Sequence, residues 1–322
     1  MAKTMRAAVL TAPGRVETLD VPAPRPAPHQ VVVRIEGCGI CGSNLPAWEG
    51  RPWFSYPLEP GKPGHEAWGR IAAVGTAVRS VREGDRVACL SERAFAEYDV
   101  ADAASVVQLP SALDGRDVPL EPVGCVMNVW ARSGVRPEHS VAIVGIGFLG
   151  ALLAQLAARA GAHVVALARR PWSLEIARKV GAHACVSIAG PDVETAESAM
   201  TANGGRPFDC VIECAGTQQA LDLAARLCGV RARLVVAGYH QDGPRWVDMQ
   251  SWNWRGLDVI NAHERATERY VDGMQRALDA MLEGDIDLAS LITHRQPLDS
   301  LDVALGLLRN RPDGFMKAVV VP

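Results

Sequence analysis

Residues 140–170 read SVAIVGIGFLGALLAQLAARAGAHVVALARR: an apolar strand, a glycine turn, a long Ala/Leu helix and a second apolar strand. That is a βαβ unit, in which the helix carries the chain back so that the two strands run parallel. The alternation continues with a helix in WSLEIARKVGA (172–182), strands in ACVSI (184–188) and FDCVIECAG (208–216), a helix in QQALDLAARLCG (218–229) and a strand in ARLVVAG (232–238). The order predicts an α/β domain built on a doubly wound parallel sheet.

The glycine turn carries G-x-G-x-x-G at Gly145, Gly147 and Gly150. The pattern is weak alone, but here it follows a strand and opens a helix, the context of a dinucleotide fingerprint. Gly145 permits the tight turn, Gly147 lets a pyrophosphate approach the backbone, and Gly150 lets helix and strand pack closely. Phe148 and Leu149 open the helix whose N-terminus faces the phosphates. In NAD-binding versions a carboxylate about 20 residues on takes the ribose 2′-hydroxyl. This second strand ends instead in Ala168-Arg169-Arg170. Two guanidiniums suit a 2′-phosphate, so the expected cofactor is NADP(H).

Working back toward the N-terminus, the texture changes. QVVVRIEGCGI (30–40), EAWGRIAAVGTAV (66–78) and GDRVACL (84–90) are strand-like runs separated by Gly/Pro turns, with little helix. Beyond the α/β part come a helix from Tyr270 to Glu283, a strand in LITHRQPL (291–298), another helix and a final strand in KAVVVP (317–322). No repeat, low-complexity tract or long linker interrupts the 322 residues, which are enough for two domains.

The formal net charge of -3 gives no electrostatic case for nucleic acid or an anionic membrane. No apolar run approaches the roughly 18 residues of a membrane span, and the N-terminus lacks a signal-peptide layout. Eight cysteines in so long a chain are not a disulfide framework, and a reducing cytoplasm is the expected setting.

Cys38 and Cys41 form C-x-x-C, which can be a redox dithiol, half of a structural zinc site, or one metal ligand beside a bystander. The strand-end context is not the strand-to-helix turn of a redox dithiol, and no second C-x-x-C follows. His65 and Glu66 stand after the Pro63-Gly64 turn, and Glu121 lies in LEPVGC (120–125). Cys, His and Glu are competent zinc ligands, and a catalytic zinc takes three protein ligands with one position open.

The ordered set CGICGS, GHEAWGRI, GDRV, EPVG, VGIGFLG and LITHRQPLDSLDVALGLLRN resembles the zinc-dependent medium-chain alcohol and polyol dehydrogenases over essentially the whole chain. The resemblance implies a GroES-like β-barrel catalytic domain over residues 1–123, a Rossmann domain over 124–262, and a C-terminal segment, 263–322, returning to the catalytic domain. By motif matching it implies Cys41 and His65 as zinc ligands, Glu66 as an adjacent carboxylate that binds or releases the metal, and Glu121 in the third-ligand slot, as in the sorbitol dehydrogenase branch. Cys125 is the alternative to Glu121. Ser43 is implied as the proton contact and Cys38 as a packed thiol. One catalytic zinc is expected and no structural zinc, because GDRVACLSERAFAEYDV (84–100) has only Cys89 where relatives carry a cysteine-rich lobe.

Two letters depart from the pattern. Asn44 replaces the Asp that supports the zinc-bound His, and Pro46 replaces a relay His and cannot transfer a proton.

By the same analogy Trp48, Trp53, Phe54, Trp130, Trp252 and Trp254 are candidates for a substrate pocket or for packing. His263, Glu264 and Arg265 are candidates for a polar substrate or plain surface. Glu213 is either a structural acceptor or a ribose contact, and the backbone around Gly238 passes the nicotinamide. The leading expectation is hydride transfer between NADP(H) and a secondary alcohol, polyol or ketone. The alternatives are a C=N or C=C reductase on the same fold and a non-enzymatic NADPH-binding protein. The expected partner is a small-molecule substrate, in a homodimer or homotetramer.

Overall fold

The computed structural model describes residues 4–322. The strands are β1 (Thr4–Ala12), β2 (Arg15–Pro22), β3 (Gln30–Gly39), β4 (Glu66–Val74), β5 (Arg86–Leu90), β6 (Tyr98–Asp102), β7 (Val106–Gln108), β8 (Ser140–Val144), β9 (His163–Ala168), β10 (Ala184–Ser187), β11 (Phe208–Glu213), β12 (Cys228–Val236), β13 (Asp258–Asn261), β14 (Ile292–Pro297) and β15 (Lys317–Val321). The helices are α1 (Leu45–Glu49), α2 (Leu120–Ser133), α3 (Phe148–Arg159), α4 (Pro171–Lys179), α5 (Asp192–Ala202), α6 (Gln218–Leu227), α7 (Met249–Arg255), α8 (Thr267–Leu282) and α9 (Leu301–Asn310).

They form two compact units, one of residues 4–124, Ala266–Leu278 and Asp287–Pro322, the other of Cys125–Arg265 and Asp279–Ile286. In the first, a mixed sheet runs β14-β15-β3-β4-β5-β7, with β6 also on β3. Val31, Val33 and Ile35 alternate inward from β3, and Leu298, Leu301 and Leu305 from the tail close the same core. The last strand is tied in by pairing with β3 at Val319↔Gly39 and Val320↔Cys38. On its other side β3 pairs with β4, placing Gly39 opposite Glu66.

In the second unit six parallel strands run β10-β9-β8-β11-β12-β13. This is the doubly wound order whose strand direction of travel reverses at β8, so a ligand crevice opens at the carboxyl ends of β8 and β11. β8 is buried at every position, as an all-apolar strand covered on both faces requires. The α/β alternation read from sequence covers β8 to β12 of this sheet and lacks α5, α7 and β13. DVETAESAMTA carries a helix with only small residues on its inner face, so its periodic signal is faint. No helix among the described residues is long and apolar enough to cross a membrane.

Candidate metal and nucleotide sites

In the first unit a chain reversal after β3 places Cys41. The Cys41 N–H donates to Asn44 Oδ1 at 2.7 Å, and the Asn44 N–H donates to the Cys41 carbonyl at 3.0 Å. These reciprocal bonds close a single tight turn and leave the half-buried Cys41 thiol pointing off it. From the other side, Pro63-Gly64 delivers His65 at the head of β4. Gly64 has no alternative, because a Cβ there would lie 2.5 Å from the Phe95 nitrogen.

The donor atoms of Cys41, His65 and Glu66 all lie within 4.8 Å of one another. His65 Nδ1 is 2.9 Å from the Pro63 carbonyl, which can only accept, so Nδ1 carries the proton and Nε2 is turned to the cluster. Asn44 Nδ2 donates to the same carbonyl at 2.9 Å. Its 3.4 Å separation from His65 Nδ1 is donor against donor and is no bond. The backbone carbonyl thus does what a carboxylate at position 44 would do, and the neutral amide buttresses it. Ser43 Oγ lies 3.4 Å from His65 Nε2.

Glu66 is fully buried, and Lys317 meets it. Lys317 Nζ donates to Oε1 at 2.7 Å and stands 2.5 Å from Oε2, where the angle is too poor for a hydrogen bond. Gly39 makes room for this carboxylate: a Cβ there would sit 1.8 Å from Oε2. Burial pushes the Lys317 pKa down, but Glu66, Cys41 and Glu121 together raise it above its ordinary value, so the ammonium stays charged.

The field at His65 has the same sign. Burial lowers its pKa, but the hydrogen bond and charge of Cys41, then Glu121 and Glu66, override this and raise it to about 10. The groups around His65 thus favour positive charge at this point, as a cation site requires. A soft thiolate, an imidazole with its tautomer set and an adjacent carboxylate fit zinc. Glu121, in the first turn of α2, acts on His65 through its charge, while the donors gathered within 4.8 Å of one another are those of Cys41, His65 and Glu66. Cys38 is buried in β3, where desolvation first, then the charge of Glu66, raises its pKa well above the usual thiol value. It is an inert packed thiol. Pro46 is buried in α1.

In the second unit Gly145 has φ +101°, a left-handed conformation, and a Cβ at Gly150 would lie 2.1 Å from the Gly145 carbonyl. A Cβ at Gly147 would meet nothing within 4 Å, so it would project into open space at the start of α3, whose N-cap has no side-chain hydrogen bond. An open cradle at an uncapped helix N-terminus fits a pyrophosphate. Arg169 is exposed at the end of β9, and Arg170 is the N-cap of α4.

Of the aromatic candidates, Trp252 is packed in the core of the parallel-sheet unit, so it is a packing residue. Trp254 is almost fully exposed, and Trp53 stacks at a tilt on Phe54. Trp48 packs against the barrel core with its indole N–H unpartnered. Glu264 accepts from the backbone of Arg265 on the exposed surface, and His263 lies beside the Tyr239 ring. Glu213 is buried and accepts from backbone N–H groups. Lys317, Gly39 and the Pro63 carbonyl were not singled out from sequence. The one legible signal was a lone lysine opening the apolar strand KAVVVP.

Comparison with known proteins agrees with both halves. Residues 27–111 match the family model for the alcohol dehydrogenase GroES-like domain, and residues 149–279 match that for zinc-binding dehydrogenases. An alcohol dehydrogenase of Cupriavidus necator is 27% identical, with 100% of each chain covered. An L-threonine 3-dehydrogenase of Anaeromyxobacter dehalogenans is 27% identical over 92% of each. Among solved structures, one described as a zinc-binding dehydrogenase from Sinorhizobium meliloti 1021, bound to NADP, superposes with a TM-score of 0.87 at 26% identity, covering 100% of both chains.

Proposed function

The chain belongs to the zinc-dependent medium-chain dehydrogenase family, and from that premise we propose a zinc-dependent oxidoreductase that moves a hydride between NADP(H) and a secondary alcohol, polyol or corresponding ketone. The observation that carries this reading is the Cys41–His65–Glu66 donor set with its imidazole tautomer determined by the Pro63 carbonyl. Bound zinc supplies a Lewis acid for the substrate oxygen, and bound nicotinamide supplies or accepts the hydride.

The chain's own groups do the rest. Cys41 and His65 hold the ion, with a carboxylate of Glu66 or Glu121. Lys317 forms a buried ion pair with Glu66 and so supplies its counter-charge. Ser43, whose Oγ is 3.4 Å from His65 Nε2, takes the proton leaving a substrate hydroxyl or returns it to a reduced carbonyl. Beyond Ser43 the proton passes to water, since Pro46 offers no titratable group. Arg169 and Arg170 bind the 2′-phosphate.

One observation favours a second reading. The loss of a relay side chain at Pro46 suits a substrate that needs little proton traffic, such as an enone or imine. A panel of alcohols, polyols, ketones, enones and imines, assayed with NADP(H) and NAD(H), separates the two. Metal analysis of protein purified without chelator accompanies it. The expected result is bound zinc, alcohol or ketone turnover, and loss of turnover with chelator. Protein without zinc whose turnover ignores chelator overturns the reading.

A further inference from the structure

Glu213 ends β11 fully buried, and its carboxylate is committed on three sides. Oε1 accepts the Ala215 N–H at 2.6 Å and the Gly216 N–H at 2.7 Å. Oε2 is 2.9 Å from His240 Nε2. On the far side of that ring, Arg245 Nε donates to His240 Nδ1 at 2.8 Å. A guanidinium can only donate, so Nδ1 is the acceptor, Nε2 carries the proton, and His240 donates to Glu213. Arg245 then reaches back through Nη2 to the Gly216 carbonyl at 2.9 Å and to Asp242.

A buried carboxylate, a tautomer-locked imidazole and a guanidinium therefore stitch two loops together: 214–217 after β11 and 237–246 after β12. The approach is tight. The N–H groups of Ala237 and Gly238 both donate to the Glu213 carbonyl at 2.8 Å, and a Cβ at Gly238 would lie 2.3 Å from the Gly216 nitrogen. The stitched loops also touch the glycine cradle. A Cβ at Gly145 would meet Ala215 at 3.0 Å, and the Cys214 N–H donates to the Val144 carbonyl at 2.8 Å.

A doubly wound sheet binds one nucleotide on each half, at the carboxyl ends of its strands. The adenosine half falls to β8–β10, where Arg169 and Arg170 stand. The β11–β13 half is left for the nicotinamide nucleotide, and its two loops are those joined by this triad. We propose that Glu213, His240 and Arg245 are positioning residues that set the backbone floor of the nicotinamide half-site. The inference rests on the reading that the chain binds a nicotinamide dinucleotide. Breaking the link leaves a buried carboxylate short of a donor and frees loop 237–246, while the adenosine half keeps its support.

The test compares a whole cofactor with its own adenosine half. Equilibrium binding of NADPH and of adenosine 2′,5′-bisphosphate is measured for wild type, His240→Ala, Arg245→Ala and His240→Gln. NADH and AMP replace them if NADH is the dinucleotide bound. The two Ala variants are expected to bind the dinucleotide about tenfold or more weakly, with the adenosine half within about twofold of wild type. His240→Gln, whose amide can donate one way and accept the other, is expected to recover most of the loss. Retained binding of the adenosine half shows that the unit is folded. Equal weakening of both ligands, or no weakening of either, overturns the proposal. A wild-type chain that binds neither dinucleotide overturns the cofactor reading instead, and the inference with it.

Discussion

At Asn44 one amide side chain satisfies two backbone groups at once: it accepts from Cys41 N–H and donates to the Pro63 carbonyl. Those bonds hold the loop of one metal ligand to the loop that orients the other. Asn44→Ala removes both, and outer partners of metal ligands typically contribute 10- to 100-fold in affinity. A competitive chelator titration is therefore expected to show zinc held roughly 10- to 100-fold more weakly; unchanged affinity refutes the role. Arg169 is a second residue-scale case. It is exposed just past the carboxyl end of β9, where the sequence reads Ala168-Arg169-Arg170 and has no carboxylate. Arg169→Asp removes a charge-assisted contact and adds a repulsive one. The NADP-to-NAD ratio of kcat/KM is expected to fall roughly 10- to 100-fold. A native preference for NAD that the substitution leaves alone overturns the 2′-phosphate assignment.

At the scale of elements, β15 carries Lys317 into the same sheet as Glu66 because both strands flank β3. The pair is buried at both ends, with side-chain exposure of 6% and 0%. Removing one partner strands the other charge, which costs roughly 3–5 kcal/mol. Lys317→Met is expected to lose about that much in denaturant unfolding, and Lys317→Met combined with Glu66→Gln to lose less. A single variant as stable as wild type counts against the pair. In the other unit Asp209, on β11, accepts from both the N–H and the hydroxyl of Ser140, which opens β8, each at 2.8 Å. Desolvation raises the Asp209 pKa, but the Ser140 bonds outweigh it and hold it below its ordinary value. A carboxyl with a depressed folded pKa stabilises above its unfolded pKa and loses that stabilisation as pH falls through the folded value. The stability gap between wild type and Asp209→Asn is thus expected at neutral pH and to close below about pH 4. A gap that persists in acid points to packing, not charge.

For the whole molecule, β13 is an edge strand of the parallel sheet and the place at which the expected self-association can be tested. Val259 on that strand is exposed, and so are Trp254 and Met249 on the helix leading into it. An open edge with apolar neighbours favours pairing with a second copy. Light scattering is expected to give a dimer or tetramer for wild type and a smaller species for Val259→Lys with Trp254→Glu. A monomeric wild type overturns this. The net charge of -3 gives no long-range field to steer a particular partner.

Much of this was legible in the letters. The βαβ rhythm, the glycine spacing and the absence of a carboxylate after β9 are local patterns, set by backbone sterics and by a repeat of two or 3.6 residues, so the parallel sheet and its nucleotide cradle could be read directly. Cys41, His65, Glu66 and Glu121 were one option among many by spacing and were singled out as ligands only through the family resemblance; the structure brings the donor atoms of the first three together. What no local pattern carries is who meets whom across strands distant in sequence. Lys317 reaches Glu66 only because β3 lies between β4 and β15 with a glycine at the crossing point. The Pro63 carbonyl replaces an absent carboxylate only because the turn brings it to Nδ1. His240 locks onto Glu213 only because two loops fold back over adjacent parallel strands. A chain's residue types and periods determine its elements and the chemistry available to them, but register and burial decide which buried charges find partners, and that information exists only once the strands have paired.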